Sequence, residues 1–317
     1  MPGFQPDIVD VHVDKLLTQI SIGYTNPDYV AAQVAPIVIV EKESDIIPQY
    51  VQDFWFRDVA RPIAPGEKAP RSGFTTLNTL KYAVIEHAIA KEIPDRLRQN
   101  TDAPYDLDAD GAKWVAEMIQ LRQEVDFAIN KFKAGVWATD RVGTTDFTKW
   151  SDYGLSDPIV DLRKDRRTVR TKIGRAANTL LLGEFVMDVL IDHPLLVERV
   201  KYQGNDVSED LLKRLLRLDK VIVAASMQAT NLEGATLALA DLFDDDALLL
   251  YLPKSIGRFQ PSAIYTFVQR PFTGGDRMVT RRIRDDERMV DIIEGRTAYD
   301  QKVIDNRAGV FFSDAVD

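Results

Sequence analysis

Three histidines, His12, His87 and His193, are the only imidazoles in this 317-residue chain, and it has no cysteine. No two of the histidines form the closely spaced pair that common zinc sites and helix-borne metalloprotease motifs require. Without thiols, disulfides, thiolate–metal sites, iron–sulfur ligation and cysteine nucleophiles are excluded together. Ser-His-Asp hydrolysis on an α/β scaffold is often announced by G-x-S-x-G, which does not occur here. His193 stands just before Pro194 at an expected helix end, where a capping or structural role is the stronger reading. The sequence therefore predicts no catalytic residue, no cofactor and no metal.

Acidic clusters occur at Asp106, Asp108 and Asp110, at Asp244, Asp245 and Asp246, and at Asp285, Asp286 and Glu287. The first lacks the distal glutamate of an EF-hand loop, and acids ahead of a helix serve as caps and dipole partners. Solvated or capping acids are the leading reading, with Asp244, Asp245 and Asp246 also open to an inter-subunit contact. The glycine of LLLGEFVM, Gly183, is followed by Glu184, whose charge would repel a phosphate. With no G-x-G-x-x-G or P-loop pattern present, Gly183 reads as a tight turn.

The basic run from Arg163 to Lys172 has three readings, in order: a solvated helix face, ion pairs to an acidic neighbour, and nucleic-acid contact. The tryptophans Trp55, Trp114, Trp137 and Trp150 lie in elements of different type and read as packing or interface residues.

Lys plus Arg number 40 against 49 Asp plus Glu, a formal charge of -9. That balance argues against a dedicated duplex-binding protein. No apolar run approaches the roughly 20 residues needed to span a bilayer. The start MPGFQPDIVD lacks the pattern of a signal peptide, so a cytosolic site of synthesis and assembly is expected.

The elements that must carry these residues form five groups. Up to about residue 48, prolines break the chain into short pieces, with a helical candidate around Asp10 to Ser21, that read as an arm lying on something else. From Tyr50 to Lys81, aromatic residues flank RPIAPGEKAPRSG, which predicts a long two-stranded excursion with a polar tip; an active-site lid is the alternative. From Asp108 to Phe132, Trp114, Met118, Leu121, Val125, Ala128 or Ile129, and Phe132 recur at helical spacing, predicting a spine helix ~37 Å long.

After a boundary near Asp152, helices alternate with the buried-looking strands NTLLLG, KVIVAAS, DALLLYL and AIYTFVQ to about residue 270. This half is expected to be an α/β domain. From Arg277 on, MVTRRIR, RMVDIIEGR, YDQKVID and GVFFSDAV read as a terminal antiparallel meander.

This order and its wording resemble the major capsid proteins of tailed phages. The segments that carry the resemblance are NPDYVAAQVAPIVIV, FWFRDVARPIAPGEKAPR, TDAPYDLDADGAKWVAEMIQLRQE, WSDYGLSDPIVDLR, NTLLLGEFVMDVLIDHP, DALLLYL and EGRTAYDQKVIDNRAGVFFSDAV, which touch nearly the whole chain. The resemblance implies an α+β fold of the Hong Kong-phage type, shared by phage heads, herpesvirus shell floors and encapsulin nanocompartments. It implies an N-terminal arm over 1–48, an extended β-hairpin loop over 49–82, a peripheral domain with the spine helix over 83–154 plus 277–317, and an axial domain over 155–276.

The implied function is self-assembly, through hexamers and pentamers, into an icosahedral head shell around double-stranded DNA. A portal, a separate scaffolding protein and a decoration protein are the further partners implied, without membrane association. In that setting Phe54, Trp55 and Phe56 would anchor the loop base, and Arg57, Arg61, Lys68 and Arg71 would meet acids on neighbours. Some relatives cross-link through a loop lysine; Lys68 is the only candidate near this tip, and no motif places its asparagine and glutamate partners. An encapsulin-type compartment is the alternative within the fold, and a cytosolic α/β enzyme using carboxylates the alternative outside it.

Overall fold

The computed structural model describes residues 17, 19, 26, 28–50, 56, 58, 60–71, 76–101, 106–200, 208–232, 234–257, 261–270 and 277–317. In chain order the elements are α1 (Ala31–Val34), β1 (Ile37–Val40), β2 (Ser44–Tyr50), β3 (Thr76–Ala83), β4 (Ile85–Pro94), α2 (Asp95–Gln99), α3 (Leu107–Lys131), β5 (Asp140–Val142), α4 (Pro158–Ile173) and β6 (Thr179–Gly183). They continue with α5 (Glu184–Ile191), α6 (Pro194–Val200), α7 (Glu209–Leu216), β7 (Lys220–Ala224), β8 (Met227–Ala229), β9 (Leu239–Asp241), β10 (Ala247–Leu250), β11 (Ile264–Gln269), β12 (Val279–Asp285), β13 (Val290–Val303) and β14 (Gly309–Ser313). The helical candidate around Asp10 to Ser21 falls almost wholly outside the described residues.

The spine helix is α3. Asp106 caps it by accepting the N–H groups of Asp108 and Ala109, as an acid placed before a helix does. Its buried stripe is Gly111, Ala112, Val115, Ala116, Ile119, Glu124, Phe127 and Ala128, whereas Trp114 and Ile129 are exposed. Ala128 and Phe132 are buried as expected, whereas in the first half of the helix the stripe falls one position past Trp114 and Met118, on Val115 and Ile119. The cause is close approach to the sheet: a Cβ on Gly295 would drive into Val115, and one on Gly111 would lie 2.9 Å from Ile293. A helix seated this tightly presents small residues to the strands, so bulk marks the wrong side.

Helix α4 follows its sequence signals, with Asp157 capping Val160 N–H at 3.1 Å, Pro158 in the first turn, and Gly174 closing it at φ 71°.

Two five-stranded sheets organise the chain. One has the order β5-β14-β10-β6-β7, with β10 antiparallel to both β14 and β6, and the outer pairs β5/β14 and β6/β7 parallel. The other is built on β13. Over 290–296, β13 is flanked by β4 and β12, and over 299–303 it pairs with β11, which in turn holds β1 in parallel.

The sheets cross the boundaries expected from sequence. β5 and β14, expected in the peripheral segments, complete the sheet of β6, β7 and β10, while β11, expected in the axial segment, belongs to the β13 sheet. The terminal meander is likewise not one unit, because β12 and β13 form a hairpin and β14 leaves for the other sheet.

The larger core lies around β6 and β10, both buried along their whole length, with Leu162, Val169 and Ile173 of α4 and Val186 and Leu190 of α5. Trp150 and Phe312 pack there with ring centroids 5.5 Å apart, and Trp137 is buried in the same core. Trp114, in contrast, is exposed beneath the Lys91 ammonium, 4.8 Å from its ring. Among the described residues no helix is long and apolar enough to cross a membrane.

Candidate inter-subunit surfaces

The excursion between residues 50 and 81 is a hairpin arm. β2 and β3 pair antiparallel from Ser44 opposite Ala83 to Tyr50 opposite Thr76, with a register shift between Ile47 and Gln49. Pro48 sits at that shift, where its missing N–H would otherwise break the ladder. The two strands form their own two-stranded sheet, and residues 60–71 are all exposed.

The tip nevertheless has a defined shape. Glu67 N–H donates to Ala64 O at 3.0 Å across Pro65 and Gly66, and Gly66 has φ 85°, as the third position of a type II turn requires. The Glu67 carboxylate then folds back onto Ala64 N–H at 3.1 Å and onto Arg61 at 3.0 Å. Arg61 is therefore engaged within its own loop. Lys68 and Arg71 are exposed and make no ion pair among the described residues.

Of the residues expected at the loop base, Phe54, Trp55 and Arg57 lie outside the described residues. Phe56 is 65% exposed, yet its ring covers Gly174 at the end of α4, so closely that a Cβ there would enter the ring.

The 244–246 loop is tied to the chain's own C-terminal segment. Asp246 accepts the N–H of Asp314 at 2.9 Å, and Ala315 N–H donates to Asp245 O at 2.9 Å. Burial pushes the Asp246 carboxyl up to about 6, against the lowering effect of the Asp314 N–H. Asp244 is exposed. The same loop explains Gly183, where a Cβ would collide with the carbonyls of Phe243 and Asp244, so the glycine serves close backbone approach.

The residues with catalytic potential have structural partners. Ser156 and His193 meet at 3.0 Å in a buried pair. Leu195 N–H donates to His193 Nδ1 at 3.2 Å, which leaves Nε2 as the protonated nitrogen, donating to Ser156 Oγ. The serine hydroxyl in turn donates to Asp152 O at 2.6 Å. An imidazole in this tautomer cannot take the serine proton, and the pair instead fastens the start of α6. His87 stacks on Tyr299 at 4.7 Å, and His12 lies outside the described residues. Among the described residues no group of acids or histidines is arranged to hold a metal. Asp108 pairs with Arg98 and Arg282, Asp110 lies 3.8 Å from Lys113, and Asp286 pairs with Arg284.

The basic run lies on α4, and part of it is structural: Arg163 donates to Leu215 O at 2.7 Å, Arg166 to Ala177 O at 3.1 Å, and Lys172 to Ala138 O at 3.1 Å. Arg167 and Arg170 are exposed and make no ion pair among the described residues.

Two of the buried acids, neither singled out by sequence, join distant segments. Glu124 is fully buried and accepts N–H groups from Val30 and Ala31 and the Ser226 hydroxyl. Asp291 accepts Arg98 and Arg282, with Arg284 at 3.4 Å. The first fixes the arm to the spine, the second ties α2 to the β12–β13 hairpin.

No family model matches the chain. It is 29% identical over 282 residues to the Major capsid protein of Burkholderia phage BcepMu, covering 86% of this chain and 87% of that protein. A phage-related protein from Bordetella bronchiseptica superposes with TM-score 0.76 at 21% identity over 96% of this chain and 98% of its own. The capsid structure of cyanophage P-SCSP1u does so with TM-score 0.58 at 10% identity, covering 88% and 86%. The chain has the Hong Kong-phage-type fold of phage major capsid proteins. An encapsulin of Synechococcus elongatus shares this capsid fold with TM-score 0.53 at 12% identity, covering 92% and 88%.

Proposed function

We propose that this chain is the major capsid protein of a tailed phage, assembling through hexamers and pentamers into the icosahedral head shell that encloses double-stranded DNA. The observation that carries the reading is the 29% identity to a phage Major capsid protein over 86% of the chain, joined to the capsid fold. In this reading 1–48 is the arm, 49–82 the extended loop, and the two sheets centre the peripheral and axial domains. The hairpin lies across an adjacent copy and covers exposed strand edges there.

Phe54, Trp55 and Phe56 anchor its base, and Arg57, Lys68 and Arg71 find acids on neighbours, with Arg61 holding the tip in shape through Glu67. Asp244 is the member of its cluster left to face another copy. Assembly takes place in the host cytoplasm with a portal and a scaffolding protein, and a decoration protein is a further partner.

Expression of the chain alone and with its scaffolding protein, followed by light scattering and negative-stain microscopy, tests the reading. Closed shells or rings of five and six are expected; a compact dimer that stays a dimer with scaffold contradicts it. Trp55→Ala with Phe56→Ala is expected to give a folded subunit with impaired assembly, and normal shells would remove the anchor role.

The encapsulin reading is kept because an encapsulin shares the fold. Nuclease-protected DNA inside native particles favours the phage head, and an enzyme cargo the compartment.

A further inference from the structure

Some exposed charges on this acidic chain make no ion pair among the described residues. In the β6–β7 half, Arg167 and Arg170, three residues apart on α4, are exposed, as is Arg217 just past α7, and none of the three makes an ion pair among the described residues. Arg166 lies among them, its guanidinium lowered by burial and then by the charges of Arg217 and Arg170. Asp219 of the same subunit acts against them at Arg166, while Arg167 and Arg170, exposed and without an ion pair among the described residues, are open to an anion on another copy.

Elsewhere on the same half is an open groove between α5 and the start of α7, with Met187, Ile191 and Val223 on its walls and Glu184, Asp188, Glu209 and Asp210 around it. Glu184, Asp188 and Glu209 have no ion pair among the described residues, and Asp210 only a 3.9 Å approach to Lys213.

We infer that these two surfaces are the halves of one contact: the arginine face of α4 from one copy docks on the acidic α5–α7 groove of the next. The inference rests on the shell-subunit reading above. Charge complementarity selects a second copy as the occupant, because this chain supplies both the isolated cations and the matching carboxylates on separate surfaces. A contact between two different surfaces is head-to-tail, and when its rotation closes it generates rings. The apolar walls of the groove supply buried area, and the charges supply orientation and register.

The test is a charge-swap cycle on the full chain. Arg167→Glu with Arg170→Glu is expected to lower the assembled fraction at least about tenfold at moderate salt, and Asp188→Lys with Asp210→Lys to do the same. Combining all four is expected to restore assembly, and Arg167→Gln with Arg170→Gln to fall between wild type and the reversal. Circular dichroism and melting of each variant separate lost contact from lost fold.

If either reversal assembles like wild type, or if the four-fold variant does no better than the worse pair, the contact is not made. Normal assembly of the arginine reversal with loss of co-purifying nucleic acid would overturn the proposal in favour of a phosphate backbone. Failure of the wild-type chain to assemble even with scaffold is a different result, which removes the shell-subunit reading itself.

Discussion

The carboxylate of Glu124, fully buried on the spine helix, accepts the backbone N–H of Val30, just ahead of α1, at 3.0 Å. It also accepts Ala31 N–H at 2.8 Å and Ser226 Oγ–H at 3.2 Å, so one side chain joins the arm, the spine and the strand connection after β7. Burial raises its carboxyl, while the three donors work in the opposite direction and favour the charged form.

Replacing Glu124 by Ala leaves those donors unpaired in a dry site, at about 3 kcal/mol or more. Glu124→Gln costs less, because its amide oxygen still accepts. Urea unfolding gives the stability loss. Hydrogen exchange is expected to rise first at Val30 and Ala31, and unchanged protection there would contradict the tie.

Gly174 and Phe56 make a second long-range link, between the end of α4 and the hairpin base. Gly174→Ala places a methyl in the Phe56 ring and an L-residue at φ 71°, costing about 1–2 kcal/mol for the backbone alone. In a Phe56→Ala background the additional steric cost disappears. A double-mutant cycle with no coupling would show that the two do not touch in solution.

Asp291 is the hub of Arg98, Arg282 and Arg284. Burial pushes its carboxyl up, but the hydrogen bonds and charges of Arg282 and Arg98 outweigh this and hold it at about 2. Asp291→Asn is expected to destabilise by about 2 kcal/mol at pH 7, since three guanidinium groups lose their acceptor charge. Thermal melting at neutral pH checks it.

Asp246 and Asp291 predict opposite slopes in acid. The Asp246 carboxyl, at about 6, is raised above its unfolded value, so the folded state binds its proton first and its contribution to stability grows as pH falls from about 7 to about 4. The Asp291 carboxyl is lowered, so its contribution is present above pH ~4 and is lost as pH falls towards 2. The summed contribution of these two groups is expected to be largest near pH ~4. Asp246→Asn, which keeps an acceptor for Asp314 N–H, is expected to add on the order of 1 kcal/mol at pH 7 and flatten the upper slope; an unchanged slope would contradict the assignment.

Capping and periodicity carry most of the local structure in the sequence. Asp106, Asp157, Pro158 and Gly174 mark ends of α3 and α4, and the leucines of 179–183 and 247–250 mark the two buried strands. The pairing of those elements is not local, so β14 joining β5 and β10 left no sign in its own composition. The buried stripe of α3 was hidden because Gly111, Ala112 and Ala116 face the sheet, and small residues give little periodic signal. Read on that stripe, Glu124 is a lone acid eight residues from Ala116 and four from Ala128, which is the mark that would have exposed it. The hairpin was legible because its proline- and glycine-rich tip separates two β-compatible runs. Arg61 turns to Glu67 within that tip, a contact that composition alone does not announce.

The most direct measurement is a reconstruction of particles assembled from this chain, at a resolution that shows side chains. A closed shell is expected, in which each hairpin of residues 44–83 lies across a neighbouring copy and the α4 arginines face the α5–α7 carboxylates of the next subunit in the ring. Discrete monomers or dimers, with the hairpin folded back onto its own subunit even in the presence of scaffold, would contradict it.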